Sequence, residues 1–83
     1  MIYTIDQVVQ EVASNAKTGK WLSCRYDVSL PDGTTKALGV KAYGKWVQRV
    51  ELCGMVDGIP EQKTLKSLKE KFADLINNMV KYA

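Results

Sequence analysis

Histidine is missing from all 83 residues. Its absence removes the Ser-His-Asp and Cys-His nucleophile arrangements, the commonest general base and the commonest zinc ligand. Cysteine occurs only twice, at Cys24 and Cys53, too few for a disulfide framework. The strand alternation described below puts those two on opposite faces of the sheet, poorly placed to bond each other or to share a metal. Cys24 is expected to be a small core residue. No apolar run approaches the ~20 residues of a membrane span, and the opening Met1-Ile2-Tyr3-Thr4-Ile5-Asp6 has neither the basic lead nor the apolar stretch of a secretory signal. The expectation is a single domain over residues 1–83, cytoplasmic, with no membrane contact.

Two further motif classes are missing. Gly19-Lys20 and Gly44-Lys45 are each followed by tryptophan, where a phosphate loop needs Ser or Thr for its magnesium ion. The nine carboxylates are scattered, with no calcium-loop spacing. Asp27 and Glu51 are expected to share one sheet face, two strands apart, as solvated groups rather than an acid/base pair. No cofactor, no metal and no catalytic residues are expected; the chain reads as a non-enzyme.

What is present is ordinary globular material: 46% hydrophobic and 25% charged residues, enough to form a core without staples. The net charge of +3 is mild and permits either nucleic acid or an acidic protein as partner. Thr4 and Gln7 have the spacing of a capping box, and Ile5, Val8, Val9, Val12, Ala13 and Ala16 recur at helical spacing until Gly19, so residues 5–16 are predicted helical. From Trp21 to Leu30 the period becomes two, with Leu22, Cys24, Tyr26 and Val28 opposed to Trp21, Ser23, Arg25 and Asp27. Pro31-Asp32-Gly33 is a turn. A second strand is expected over Thr34–Tyr43, with Leu38, Val40 and Ala42 inward, and a third over Trp46–Cys53, with Trp46, Val50 and Leu52 inward.

Register follows from parity, because directly opposed residues share a face. A three-residue loop at Pro31–Gly33 opposes Tyr26 to Leu38 and Cys24 to Val40, keeping the apolar sets together. The second hairpin needs an odd loop or a bulge for Val50 and Leu52 to face the core. Gly54–Gly58 is expected to be a connection with a turn at Asp57-Gly58, and Pro60 to start a helix whose Leu65, Leu68, Phe72, Leu75, Ile76, Met79 and Val80 run at helical spacing to the C-terminus. The predicted fold is α+β: helix, three-stranded antiparallel meander, helix (α-β-β-β-α), with both helices on one sheet face. The second helix reads as a core helix, leaving self-association through surplus apolar surface as a lesser possibility for a homodimer.

Under that fold the opposite sheet face is open and carries Trp21, Arg25, Asp27, Ala37, Gly39, Lys41, Tyr43, Val47, Arg49 and Glu51. Trp21 opposes Tyr43 and Arg25 opposes Gly39, giving a shallow saddle with an aromatic end and a basic middle. Exposed Trp, Tyr and Arg suit a protein hot spot, and aromatics interleaved with Lys and Arg also suit base stacking and phosphate contact. The leading expectation is a non-catalytic binding protein that docks on a protein partner through Trp21, Arg25, Lys41, Tyr43 and Arg49. Accessory or inhibitor proteins of phages and mobile elements are the analogy. The alternative is a nucleic-acid-binding protein using the same face or Lys63, Lys66 and Lys69 early in the second helix. The expected element order resembles that of double-stranded RNA-binding domains, whose last helix also carries early lysines. The resemblance ends at the order: Gln62-Lys63-Thr64-Leu65-Lys66-Ser67-Leu68 stands where that family has a lysine pair followed by alanines.

Overall fold

The computed structural model describes residues 1–82 and contains two helices and a five-stranded mixed sheet. In chain order the elements are β1 (Ile2–Tyr3), α1 (Ile5–Thr18), β2 (Trp21–Ser29), β3 (Thr35–Tyr43), β4 (Trp46–Leu52), β5 (Met55–Ile59) and α2 (Leu65–Lys81). Every strand pairs with its neighbour in sequence. β1 runs parallel to β2, which the α1 crossover makes possible, and the remaining pairs are antiparallel.

The expected three-stranded meander (α-β-β-β-α) is therefore corrected to five strands. β1 is two residues long, too short to show a period in sequence, and is identified only by pairing Ile2 with Asp27 and Tyr3 with Val28. β5 occupies the stretch expected to be a connection, and Asp57-Gly58 lies within the strand rather than in a turn. Its single fully inward residue is Ile59, so it offers no alternation to read. Pro60 follows the end of β5, and α2 begins only after Thr64, whose hydroxyl accepts from Ser67 N (3.1 Å). Its expected run to the C-terminus reaches Ala83, which lies outside the described residues.

α1 starts with the capping box. Gln7 N donates to Thr4 Oγ1 (3.1 Å) and Thr4 N donates to Gln7 Oε1 (2.8 Å), so two orphan amides are satisfied reciprocally. The helix is stopped by Gly19 in the left-handed conformation, as expected, and its last turn extends to Thr18, two residues beyond the predicted 5–16 span. The first hairpin has the register that parity demanded, Cys24 opposite Val40 and Tyr26 opposite Leu38. Its loop is closed by Leu30 N to Thr34 O (2.8 Å) and Gly33 N to Leu30 O (2.9 Å). Asp32 Oδ1 accepts from both Thr34 N (2.9 Å) and Thr34 Oγ1 (2.6 Å), and these bonds hold its carboxyl below the usual carboxylate range.

The second hairpin has a two-residue turn, Gly44-Lys45, that places Tyr43 opposite Trp46. Lys41 pairs with Arg49 but Ala42 pairs with Val47, which leaves Gln48 as an extra residue in β4, a β-bulge. On its other side, Val47 pairs with Ile59 and Val50 with Asp57, so Gly58 faces the bulge. A Cβ on Gly58 would meet the carbonyl oxygens of Gln48 and Val47 at 2.8 and 3.0 Å; only glycine allows β5 to lie this close. β4 and β5 are joined by Cys53-Gly54, with φ of 53° and 77°, the two positive values that a type I′ turn requires.

The bulge corrects the expected parity of β4. Val47, expected on the open face, is fully buried, and Trp46, expected inward, is exposed. Val50 and Leu52 face the core as expected. One apolar cluster joins Val8 and Val12 of α1, Leu68, Phe72, Ile76 and Met79 of α2, and Tyr26, Val28, Leu38, Val40, Ala42, Val47, Val50, Leu52 and Ile59 of the sheet. Both helices thus cover the same face. Leu65, Leu75 and Val80 pack at the margin of that cluster, which makes α2 a core helix. Cys24, in contrast, is exposed: it shares the parity of Leu22 and Tyr26, but it is not part of the buried cluster. Burial foremost, with the Cys24 thiol adding to it, pushes the Tyr26 phenol above its ordinary value.

Two outcomes test this description. Gly58→Ala should destabilise the protein by about 2 kcal/mol, read as a fall in the urea midpoint, because its methyl group would be driven into backbone rather than into a movable side chain. Asp32→Ala should lower stability at neutral pH. Since folding depresses the Asp32 carboxyl, its contribution is present above the unfolded value of 3.8 and is lost as pH falls through the folded value. The gap between parent and variant should therefore close in acid-denaturation curves below about pH 4.

Candidate functional site

The face of the sheet turned away from the helices is built in rows, because cross-strand partners share a side. At one end Trp21 pairs with Tyr43 and Tyr43 with Trp46. The next row is Ser23, Lys41 and Arg49, and the one after it is Arg25, Gly39, Glu51 and Val56. Beyond these, Asp27 pairs with Ala37 and, across the parallel edge, with Ile2. All five residues singled out from the sequence, Trp21, Arg25, Lys41, Tyr43 and Arg49, lie on this face in three adjacent rows. Asp27 and Glu51 share it two strands apart.

Three aromatic rings form the end row. The Trp21 ring centroid is 5.1 Å from that of Tyr43 and 5.9 Å from that of Trp46, with tilts of 42° and 59°. The ammonium of Lys41 stands 5.6 Å from the Trp21 centroid, within cation–π range. Despite this mutual packing, Trp21 remains 51% exposed, Tyr43 46% and Trp46 37%. Trp46 is the member that the alternation missed. Keeping the Gly44-Lys45 turn at two residues would have placed it beside Tyr43; that short turn was the available signal.

Behind the aromatic row lies a hollow of about 370 Å³ lined by Ser23, Arg25, Gly39, Lys41, Arg49 and Glu51. Gly39 forms its floor in the central strand, where its cross-strand partners Arg25 and Glu51 carry long side chains. Arg49 Nη2 is bonded to Glu51 Oε2 at 3.0 Å, with both side chains about half exposed, a pair that contributes well under 1 kcal/mol in such solvent contact. Among the described residues neither Arg25 nor Lys41 is within 4 Å of a carboxylate. The surface is thus a rim of aromatic carbon next to two unpaired cations, one paired cation and an opening between them.

The other basic candidates lie elsewhere. Lys66 and Lys69 are on α2 in the helix layer, Lys69 half-buried. Lys63 precedes the helix, in the segment that Gln62 N ties to Lys45 O (3.0 Å). No ion pair joins Lys66 to Glu70 among the described residues. These lysines and the open sheet face do not form one continuous site. The spacing Gly39-x4-Gly44-Lys45 matches part of a phosphate-loop pattern, but it runs along β3 into a hairpin turn, not from a strand into a helix N-terminus. No group of three or more His, Cys, Asp or Glu side chains converges among the described residues, and no helix among them is long and apolar enough to cross a membrane.

The contrast between the exposed Trp46 ring and the buried Phe72 ring can be tested directly. Trp46→Ala should cost about 1 kcal/mol or less, since the ring is partly solvated, whereas Phe72→Ala should cost about 3–5 kcal/mol from the centre of the core; denaturant titration of the two variants separates them. Comparison of the chain with protein-family models, curated proteins and solved structures finds no match, and the functional reading is carried by the geometry of this face.

Proposed function

We propose that this chain is a non-catalytic binding protein that docks on another protein through its open sheet face, using Trp21, Tyr43 and Trp46 as the apolar centre and Arg25, Lys41 and Arg49 as the charged flank. The observation that supports this most is the cluster of three large aromatic rings left exposed on a rigid sheet, continuous with cations that have little to bind within the chain. Exposing indole and phenol rings forgoes burial of about 25 cal/mol per Å² of apolar surface. A partner that covers them recovers that free energy, and Trp, Tyr and Arg are the residues that dominate such interfaces. Two free cysteines fit a reducing, cytoplasmic setting. An accessory or inhibitor role of the phage or mobile-element kind rests on analogy of size alone.

A nucleic-acid partner is the second reading, favoured by the adjacency of Lys41 and Arg25 to the aromatic row. Two features of the geometry weigh against it. The rings are tilted to one another by 42° and 59° and Lys41 stands over Trp21, so the row is not a platform of parallel rings for successive bases. Asp27 and Glu51 share the face and repel a phosphate chain.

Paired binding measurements separate the readings. Proteins captured from a cell extract by the parent should be lost with a Trp21→Ala/Arg25→Ala variant that is shown to be folded, while single- and double-stranded oligonucleotides should give no saturable signal at low salt. Capture unchanged by the double substitution would refute docking through this face. Oligonucleotide binding that weakens steeply with salt would replace it with the second reading, and a duplex-only response would point to Lys63, Lys66 and Lys69.

A further inference from the structure

Gly39 lies in the middle of β3, the central strand of the sheet. Glycine there weakens a strand, because it loses more conformational entropy on folding and gives its neighbours nothing to pack on. Three structural reasons usually justify one, and none applies. Its φ is not positive. The ladder through it is regular, with Arg25 on one side and Glu51 on the other. A Cβ built on it would meet only Glu51 Cβ, at 3.9 Å, which is ordinary contact. Gly58 shows the contrast within the same sheet, since its Cβ would strike two backbone carbonyl oxygens. The chain's own structure requires Gly58 and leaves Gly39 without an internal role; the remaining reason for a strand glycine is close approach by something from outside.

What the opening would admit follows from its walls. Arg25, Lys41 and Arg49 surround the Gly39 hollow, and the single carboxylate lining it, Glu51, is held by Arg49. Asp27 lies one row further away, toward Ala37. The hollow is therefore short of negative charge by two cations and is roofless. We propose that the Gly39 hollow receives an aspartate or glutamate side chain from an extended acidic segment of the protein partner, with the carboxylate between Arg25 and Lys41 and the partner's neighbouring residues lying on the row of Trp21, Tyr43 and Trp46. This deepens the docking reading and rests on it. A polypeptide delivers carboxylates one at a time and can place uncharged residues over Asp27 and Glu51, which a nucleic-acid backbone with a phosphate at every step cannot. A guanidinium and an ammonium bonded to one carboxylate would also set the register of the bound segment.

The test uses the whole chain and fluorescein-labelled probes followed by anisotropy: a decapeptide of alternating glutamate and threonine, its lysine-threonine counterpart, and a ten-residue thymidine oligonucleotide. The glutamate peptide is expected to bind saturably and less tightly as salt rises, and the lysine peptide not at all. Gly39→Val fills the hollow without touching backbone; it should weaken glutamate-peptide binding by about tenfold or more while its melting temperature stays level or rises. Arg25→Ala and the smaller Gly39→Ala should weaken binding in the same direction and keep the comparison decisive should the valine variant misfold. No saturation at low ionic strength, or equal affinity in the parent and the folded Gly39 variants, would overturn the proposal. Oligonucleotide binding stronger than the peptide's and lost in Gly39→Val would overturn it in favour of phosphate recognition. Should Trp21→Ala abolish protein capture while the Gly39 variants bind the glutamate peptide like the parent, the carboxylate site falls and the docking face stands. Should Trp21→Ala leave capture intact, the docking face falls first.

Discussion

Gln48 is the extra residue of a strand that must serve two faces at once, and the close passage of Gly58 beside it makes that extra residue possible. A β-strand alternates strictly, so a strand that begins with Trp46 paired outward to Tyr43 would, without interruption, also carry Gln48, Val50 and Leu52 outward. The bulge resets the count. Before it, Val47 is inward; after it, Val50 and Leu52 are inward. Without the reset either the core would lose two of its fully buried residues or the aromatic row would lose its third ring. β5 follows this distorted stretch closely enough that its facing residue has no room for a side chain.

The core and the candidate site are consequences of the same division. On the helix side the cluster is made of aliphatic residues with Phe72, Tyr26 and Met79, and no charged side chain is buried among the described residues. Among the described residues no buried side-chain polar atom lacks a hydrogen-bond partner. On the open side the candidate binding groups, Trp21, Arg25, Lys41, Tyr43, Trp46 and Arg49, stand on strands held from beneath by two helices, so their spacing is set by the pleat and not by flexible loops. A rigid platform of that kind loses little entropy when a partner settles on it.

The two mid-strand glycines of this sheet show how one residue type answers two different constraints. Gly58 is there because backbone comes within 2.8 Å of where its Cβ would be. Gly39 has ordinary space around it, and its consequence lies on the surface, where a missing side chain leaves Arg25, Lys41 and Arg49 around an opening. Composition treats them alike; only the neighbours of the hypothetical Cβ tell them apart.

How much of this could be read from the residues follows from the range over which each signal acts. Local chemistry determined the capping box at Thr4 and Gln7, the α1 stop at Gly19, the loop at Pro31–Gly33 and the register of β2 against β3, since each depends on residues adjacent in sequence or on parity across one short loop. The sharing of one face by Trp21, Arg25, Lys41, Tyr43 and Arg49 followed from the same arithmetic. Tertiary structure alone decided the rest. β1 is two residues whose only strand character is its partner across a helical crossover. β5 reads as a turn at Asp57-Gly58 because its glycine answers a carbonyl on another strand. Trp46 and Val47 lie on the sides opposite to those expected because the bulge at Gln48 separates them from Val50 and Leu52, and a bulge, unlike the Gly44-Lys45 turn, leaves no fixed residue signature of its own. Cys24 has the parity of a core residue yet stays exposed, since parity chooses a face but only the placement of the helices decides how far along that face water is excluded.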